Sequence, residues 1–202
     1  VGETTCDGKK KMFELMNEIK PTYVMQLPHS RDEAALAFWK GQIIQFKEKL
    51  EQFFGVTITE DDIRKAIRNR NRERDAMKRY LELGKLDPAP MSGYEMGTRL
   101  DAGAFSFDLE GRCRIVEERI VEVMEEWETT KKGKPTPRPR LLVTGCPNAG
   151  VRAKVIEAVE EMGADIVGFD TCGGLRNMVN PVDESNPDVY EALAYKYLHI
   201  NC

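Results

Sequence analysis

Residues 141–169, LLVTGCPNAGVRAKVIEAVEEMGADIVGF, decide the fold class of this chain. Residues 141–144 and 164–169 are short apolar runs typical of buried strands. Between them lie a tight loop at 145–150 and an amphipathic stretch at 151–162 that predicts a helix. A strand, loop, helix and strand within about thirty residues predict a parallel strand pair with a right-handed crossover. The C-terminal part of the chain is therefore predicted to be α/β, with a doubly wound parallel sheet.

The sequence before this segment is mainly helical in pattern, with apolar residues at helical spacing and Gly or Pro after several runs. Residues 22–27 (TYVMQL) differ and predict a short buried strand. The basic, Pro-rich stretch at 129–140 (TTKKGKPTPRPR) predicts an exposed linker that leads into the α/β unit. The predicted helices before this segment lie at residues 9–20, 31–54, 59–84 and 115–127, with a short helix and loop at 94–107. One more helix is predicted after it, at 187–198.

Composition and charge exclude several classes of protein. The 202 residues are 41% hydrophobic and 32% charged, which is too apolar for a disordered chain. The formal net charge is −4, so the chain has no excess of basic residues for binding nucleic acid. No apolar run approaches the roughly 18 residues of a membrane helix. We therefore expect neither nucleic acid nor membrane as a partner.

The five cysteines are widely spaced and odd in number, which does not fit a secreted disulfide scaffold. No CxxC pair is present, which excludes a zinc ribbon or a ferredoxin-type run. We expect a reducing, cytoplasmic location, where cysteines act as buried thiols, metal ligands or nucleophiles. They are Cys6, Cys113, Cys146, Cys172 and Cys202.

Three of these cysteines follow predicted extended segments, at the strand ends where open α/β sheets bind ligands. Cys146 follows the first strand, Cys172 the second, and Cys202 a short extended segment near the end of the chain. Cys6 precedes a helix with three lysines in its first turn, where the helix dipole favours a thiolate. Thiolates clustered on such loops suit an iron–sulfur site, although a cysteine is also a small buried apolar residue.

Two other side chains are candidates for a ligand loop. Arg176 ends the loop DTCGGLR at 170–176, where it either meets a carboxylate or phosphate or forms a structural ion pair. His29 follows the predicted strand 22–27, where it suits catalysis, metal ligation or a satisfied hydrogen bond. Neither a Ser-His-Asp pattern nor HExxH occurs, so nothing supports a hydrolase, and no catalytic residue is identified.

Three motifs resemble the 2-hydroxyacyl-CoA dehydratase/benzoyl-CoA reductase family. They are Thr-Thr-Cys-Asp-Gly-Lys-Lys-Lys at 4–11, Thr-Gly-Cys-Pro at 144–147 and Asp-Thr-Cys-Gly-Gly-Leu-Arg at 170–176. Within that family the chain looks most similar to the double-cubane-cluster reductases. The resemblance implies that Cys6 and Cys202 are iron–sulfur ligands, with a third ligand upstream of this chain. It implies no ligand role for Cys172, Cys146 or Cys113.

The resemblance also implies an architecture of two Rossmann-like domains linked by a long helical segment. Residues 1–30 would end the first domain, 31–135 would be the helical connecting region, and 136–202 would start the second. We expect sequence missing on both sides, because the chain starts at Val1 and stops at Cys202 after an apolar segment. A fragment of this kind is expected to be inactive by itself.

Three functions remain open at this point. The first is an anaerobic ATP-dependent reductase with a double-cubane [8Fe-9S] cluster, and the second is a subunit of an (R)-2-hydroxyacyl-CoA dehydratase with a [4Fe-4S] cluster. Both imply a separate ATP-hydrolysing activator protein, a homodimer or a heterodimer with a related subunit, and a small-molecule or acyl-CoA substrate. The third is a metal-free domain for binding or assembly.

Overall fold

A computed structural model describes residues 7–102, 107–145, 150, 152–171 and 173–200. These residues form helices and one parallel strand pair, and no helix among them is long and apolar enough to cross a membrane. The α-helices are α1 (Asp7–Ile19), α2 (Glu33–Phe54), α3 (Glu60–Glu82), α4 (Gly93–Ala102), α5 (Leu109–Glu126), α6 (Ala158–Glu161), α7 (Leu175–Met178) and α8 (Val189–Leu198). The strands are β1 (Arg140–Gly145) and β2 (Asp165–Thr171).

The chain divides into two compact units. Unit 1 contains Val1–Ile67 and Val182–His199, and unit 2 contains Arg68–Pro181 and Ile200–Cys202. The division falls inside α3. The domain boundaries expected from sequence, at residues 30 and 135, concern a longer protein and stay a prediction.

Unit 1 is built on the packing of α2 against α8. Asp32 caps α2 by accepting a 2.8 Å hydrogen bond from the backbone N–H of Ala35. Gly55 ends the helix in the left-handed region, with φ of 66°. The helix predicted at 31–54 is therefore confirmed as α2. Buried residues form two small apolar clusters, one of Ala35, Trp39, Ala194 and Leu198 and one of Ile67, Val182, Val189 and Ala192.

The strand predicted at residues 22–27 is wrong. This stretch has no regular secondary structure beyond an isolated bridge at Met25. The backbone N–H of Gln26 donates to the side-chain Oε1 of Gln42 in α2 at 3.0 Å. The segment is thus fixed against a helix by a side chain, and the described part of the chain offers it no ladder of strand hydrogen bonds.

Unit 2 has a single large core. It joins residues from α3, α4, α5, the crossover and β2, and Tyr80, Val123, Ile156 and Phe169 are each at most 1% exposed. Gly84, in a 3₁₀ turn (Leu83–Lys85) after α3, lies directly against β2. A Cβ atom at this position would stand 1.9 Å from the carbonyl oxygen of Val167. Only glycine permits this approach.

β1 and β2 pair in parallel, as predicted. The predicted crossover helix forms as a π-helical segment (Ala153–Glu157) followed by α6. The prediction that β1 is buried is wrong, because only Val143 of this strand is half-buried, whereas Leu142 is 58% exposed. The described residues supply a partner strand on one side of β1 only, so its apolar side chains have little to pack against. The chain is α/β, and the Rossmann-like form stays a proposal.

The basic, Pro-rich stretch is exposed at residues 132–140, as predicted. Its arginines nevertheless form hydrogen bonds with other segments of unit 2. Arg138 donates to Asp165 at 2.7 Å and to the carbonyl oxygens of Glu160 and Ala164. Arg140 donates to the carbonyl oxygen of Gly84 at 2.7 Å. These arginines fix the stretch against other segments of unit 2.

Candidate functional site

The carboxyl ends of β1 and β2 lie side by side. Thr144 pairs with Asp170 in the strand register, and Gly145 pairs with Thr171. Cys146 and Cys172 are the next residues in the sequence after this last pair. Because of this parallel register, both cysteine-bearing loops begin at the carboxyl ends of the strands, which we call the strand edge. This is where α/β proteins bind ligands.

An ion pair between Arg176 and Asp170 lies at this strand edge. The Nε atom of Arg176 donates to Oδ1 of Asp170 at 2.9 Å, and its Nη2 atom donates to Oδ2 at 3.0 Å. The hydroxyl of Thr144 lies 3.2 Å from Oδ2 of Asp170 and 3.3 Å from Nη2 of Arg176. The guanidinium holds the pKa of Asp170 below its usual value, so the carboxylate is charged at neutral pH. This two-point fork fixes the orientation of both side chains.

Gly174 allows the turn that brings Arg176 back to the strand. Its N–H donates to the carbonyl oxygen of Thr171 at 2.9 Å. A Cβ atom here would lie 2.2 Å from the carbonyl oxygen of Phe169. A side chain at this position would displace the start of α7, and the fork between Asp170 and Arg176 would move with it.

Of the two readings of Arg176, the ion pair with Asp170 is present in the structure. Contact of Arg176 with a ligand stays a prediction. The contribution of Thr144 to this arrangement was missed by the sequence analysis. The strand register places this hydroxyl opposite Asp170. The pattern of residues within one strand does not give the register between two strands, so it does not reveal this contact.

The cysteines predicted to carry the chemistry, Cys6, Cys146, Cys172 and Cys202, all lie outside the described residues. Their roles stay predictions. Among the residues that the structure describes, no group of three or more His, Cys, Asp or Glu side chains could hold a metal ion.

Cys113 is the cysteine within the described ranges, and it lies in α5 with 2% of its surface exposed. Burial raises the pKa of this thiol, and the nearby carboxylates of Glu73 and Glu117 act in the same direction. Burial in the helix is consistent with a packing role for this side chain, and the absence of a ligand role for Cys113 stays a prediction.

His29 is exposed in the irregular segment between α1 and α2. It belongs to unit 1, whereas Asp170 and Arg176 belong to unit 2. The structure thus brings Arg176 together with the strand edge but does not assign His29 to the same site, and its predicted role stays open.

Comparison with known proteins gives two matches. A family model described as "2-hydroxyglutaryl-CoA dehydratase, D-component" matches residues 1–202. A curated protein of Escherichia coli (strain K12) named "Putative dehydratase subunit YjiM" is 43% identical over 203 residues. The match covers 100% of this chain and 52% of that relative, so the chain spans about half of the relative's length.

Proposed function

Because this chain belongs to the family of 2-hydroxyglutaryl-CoA dehydratase D-components, we propose that it forms part of an iron–sulfur subunit of an anaerobic enzyme. The observation that carries the proposal is the family match over residues 1–202. In this proposal the cluster receives electrons from a separate ATP-hydrolysing activator protein. The subunit pairs with a second copy or with a related subunit.

Two versions of this function differ in the cluster. The preferred version is a reductase of small molecules with a double-cubane [8Fe-9S] cluster, which the resemblance of the sequence as a whole favours. The alternative is a subunit that eliminates water from a 2-hydroxyacyl-CoA with a [4Fe-4S] cluster, and the printed family name favours this one. Both use thiolate ligands, because iron–sulfur clusters are held by deprotonated cysteines.

The described residues do not by themselves form a ligand set for a cluster. We assign Cys6 and Cys202 as ligands on the family pattern. One local feature supports Cys6, since the next residue, Asp7, is the first of α1. The N–H groups at a helix start favour a thiolate beside them.

In this proposal the described residues fix the carboxyl ends of β1 and β2 relative to each other. The fork between Asp170 and Arg176 ties the loop after β2 to Thr144 at the end of β1. A low-potential cluster needs loops that keep their positions while electrons are added, since shifts of nearby charge alter its potential. We therefore assign Asp170 and Arg176 as positioning residues.

The test uses the full-length protein, purified without oxygen, with iron and acid-labile sulfide measured per chain. Cys6→Ala and Cys202→Ala are each expected to lose most of the iron, because a cluster that lacks one ligand dissociates readily. Cys113→Ala is the matched control and is expected to keep it, since this thiol is buried within α5. Full iron content in both ligand variants would contradict the assignment.

The same measurement separates the versions. About eight iron atoms per full chain support the double cubane, and about four support the dehydratase subunit. A colourless, iron-free protein after anaerobic purification and reconstitution with iron and sulfide would support the remaining alternative, a metal-free binding or assembly domain.

A further inference from the structure

Helix α1 carries a stripe of four apolar side chains along one face. They are Met12, Leu15, Met16 and Ile19, at the i, i+3, i+4 and i+7 spacing that places residues on the same face of a helix. Their exposed fractions lie between 43% and 87%, and no residue of α1 is buried. An apolar stripe of this kind normally packs against a core, but the residues that the structure describes leave this one exposed.

The opposite side of α1 is not closely packed either. Lys10, Phe13 and Asn17 lie on that side and line a cavity of about 340 Å³, together with Thr22 and Val24. The backbone N–H of Thr22 donates to Oδ1 of Asn17 at 2.8 Å, which fixes the end of the helix to the next segment. A helix of 13 residues is marginal in water without tertiary packing. The described residues thus supply α1 with little of the packing that stabilises a helix of this length.

Two observations favour the rest of the full-length protein as the partner of this stripe. The match covers 52% of the E. coli relative, so a full-length protein of this kind has about as much sequence again. The four side chains present roughly 400 Å² of surface, whereas each partner in a stable complex of two proteins contributes roughly 800 Å². A smaller contact is sufficient within one chain, because no translational or rotational freedom of a separate partner is lost.

We propose that the stripe of α1 is an interface with the part of the full-length protein that lies outside residues 1–202. Burial of the four side chains there supplies the tertiary packing that α1 lacks. The contact is permanent, because the helix depends on it, and this distinguishes it from the docking of an activator that binds and leaves. The interface requires neither version of the cluster, so it does not depend on the iron–sulfur proposal.

The first test is cross-linking of the full-length protein, in which photo-methionine, a diazirine analogue of similar size, replaces methionine. On illumination, Met12 and Met16 are expected to cross-link to residues of the same chain that lie outside 1–202. Met162 of unit 2 is the control, because it is 89% exposed and should react mainly with water. A mixture of isotopically labelled and unlabelled protein identifies cross-links between two copies by their mass.

The other outcomes of this experiment contradict the interface. Cross-links from Met12 and Met16 to a second copy would assign the stripe to a dimer. Cross-links to other residues within 1–202 would show that this chain covers its own stripe. Reaction with water to the same extent as Met162 would show that the stripe is open in the full-length protein.

The second test is proteolysis of the full-length protein. Trypsin cleaves after lysine, and α1 contains three lysines at residues 9–11, so cleavage there reports how often the helix opens. Leu15→Ser should raise the rate of this cleavage about tenfold or more, because a buried apolar contact is lost. Glu18→Ser introduces the same residue at an exposed position of α1 outside the stripe and should change the rate less than about twofold. Equal rates in the two variants would overturn the proposal.

Discussion

The two units differ in how their buried apolar residues are arranged. In unit 2, thirteen buried residues form one cluster, whereas the described residues of unit 1 form two clusters of four. Unit 1 also leaves apolar surface open, since α1 has no buried residue and Phe53 is 72% exposed. With less core, each helix cap and ion pair of unit 1 is expected to supply a larger share of the stability of that unit.

Asp188 illustrates this second mode of stabilisation. Its Oδ1 atom accepts from the N–H groups of Tyr190 and Glu191, at 3.1 and 3.0 Å, and so caps α8. Its Oδ2 atom accepts from Nζ of Lys40 in α2. One carboxylate therefore supports the start of a helix and its packing partner together. We expect unit 2 to be sensitive to cavities and unit 1 to be sensitive to the loss of such polar contacts.

The largest effect is expected from Phe169→Ala in β2. Phe169 is 1% exposed in the core of unit 2, so its removal should lower the free energy of unfolding by about 3–5 kcal/mol. Phe53→Ala, at an exposed site of unit 1, should change it by less than about 0.5 kcal/mol. Urea unfolding followed by fluorescence can report on each unit when the other tryptophan is replaced by Phe, because Trp39 lies in unit 1 and Trp127 in unit 2. Equal losses from the two variants would contradict the comparison.

The next effect concerns Asp188. Asp188→Ala should lower the free energy of unfolding by about 1–2 kcal/mol, because the cap of α8 and the pair with Lys40 are both lost. Asp188→Asn is the matched variant. Asn caps helices as well as Asp does, so only the pair with Lys40 is lost and the change should be a few tenths of a kcal/mol. Urea unfolding followed at Trp39 measures both, and an Asn variant as unstable as the Ala variant would assign the effect to the charge instead.

The acid dependence of stability follows from the same residue. Lys40, and then the N–H groups of α8, lower the pKa of Asp188 in the folded protein. A lowered pKa stabilises the fold above the unfolded pKa of about 3.9, and this contribution is lost as pH falls through the folded value. We expect the difference between wild type and Asp188→Asn to be constant from about pH 5 to 7 and to shrink below about pH 4. A difference that grows on acidification would show the opposite sign of linkage.

The smallest effect is expected at the strand edge of unit 2. Thr144→Val keeps the shape of the side chain but removes the hydroxyl beside Asp170 and Arg176. It should lower the free energy of unfolding by about 0.5 kcal/mol or less. Arg176→Gln should raise the pKa of Asp170 toward its ordinary value of about 3.9, because Arg176 is the main cause of its lowering. Urea unfolding measures the first effect and carboxyl carbon NMR titration the second. An unchanged titration of Asp170 in Arg176→Gln would contradict the fork.

The sequence predicts helices and strands in this fold better than it predicts which segments pack against them. Helix α2 and the parallel pair of β1 and β2 follow from local spacing and terminating residues, which the chain carries within each segment. The exposure of β1 and the irregular form of residues 22–27 do not follow from it. Both depend on which other segments pack beside them, and apolar composition alone does not specify that.

The same division holds for the candidate site. Arg176 was found because a charged residue at a strand end is visible in the sequence, and its ion pair was one of the two readings. The contribution of Thr144 was not found, because it depends on residues brought together from separate segments. The cysteines proposed as ligands lie outside the described residues, so their assignment still rests on the family pattern.

Gly84 and Gly174 have a consequence for recognising related chains. Each lies so close to the backbone of β2 that a Cβ atom would stand about 2 Å from a carbonyl oxygen, at Val167 and Phe169 respectively. Glycine at both positions therefore indicates that the chain packs this closely against β2, independently of the chemistry of the loops. A homologue that has larger residues at both positions should have diverged in the path of its chain, and its strand edge should not be aligned with this one residue by residue.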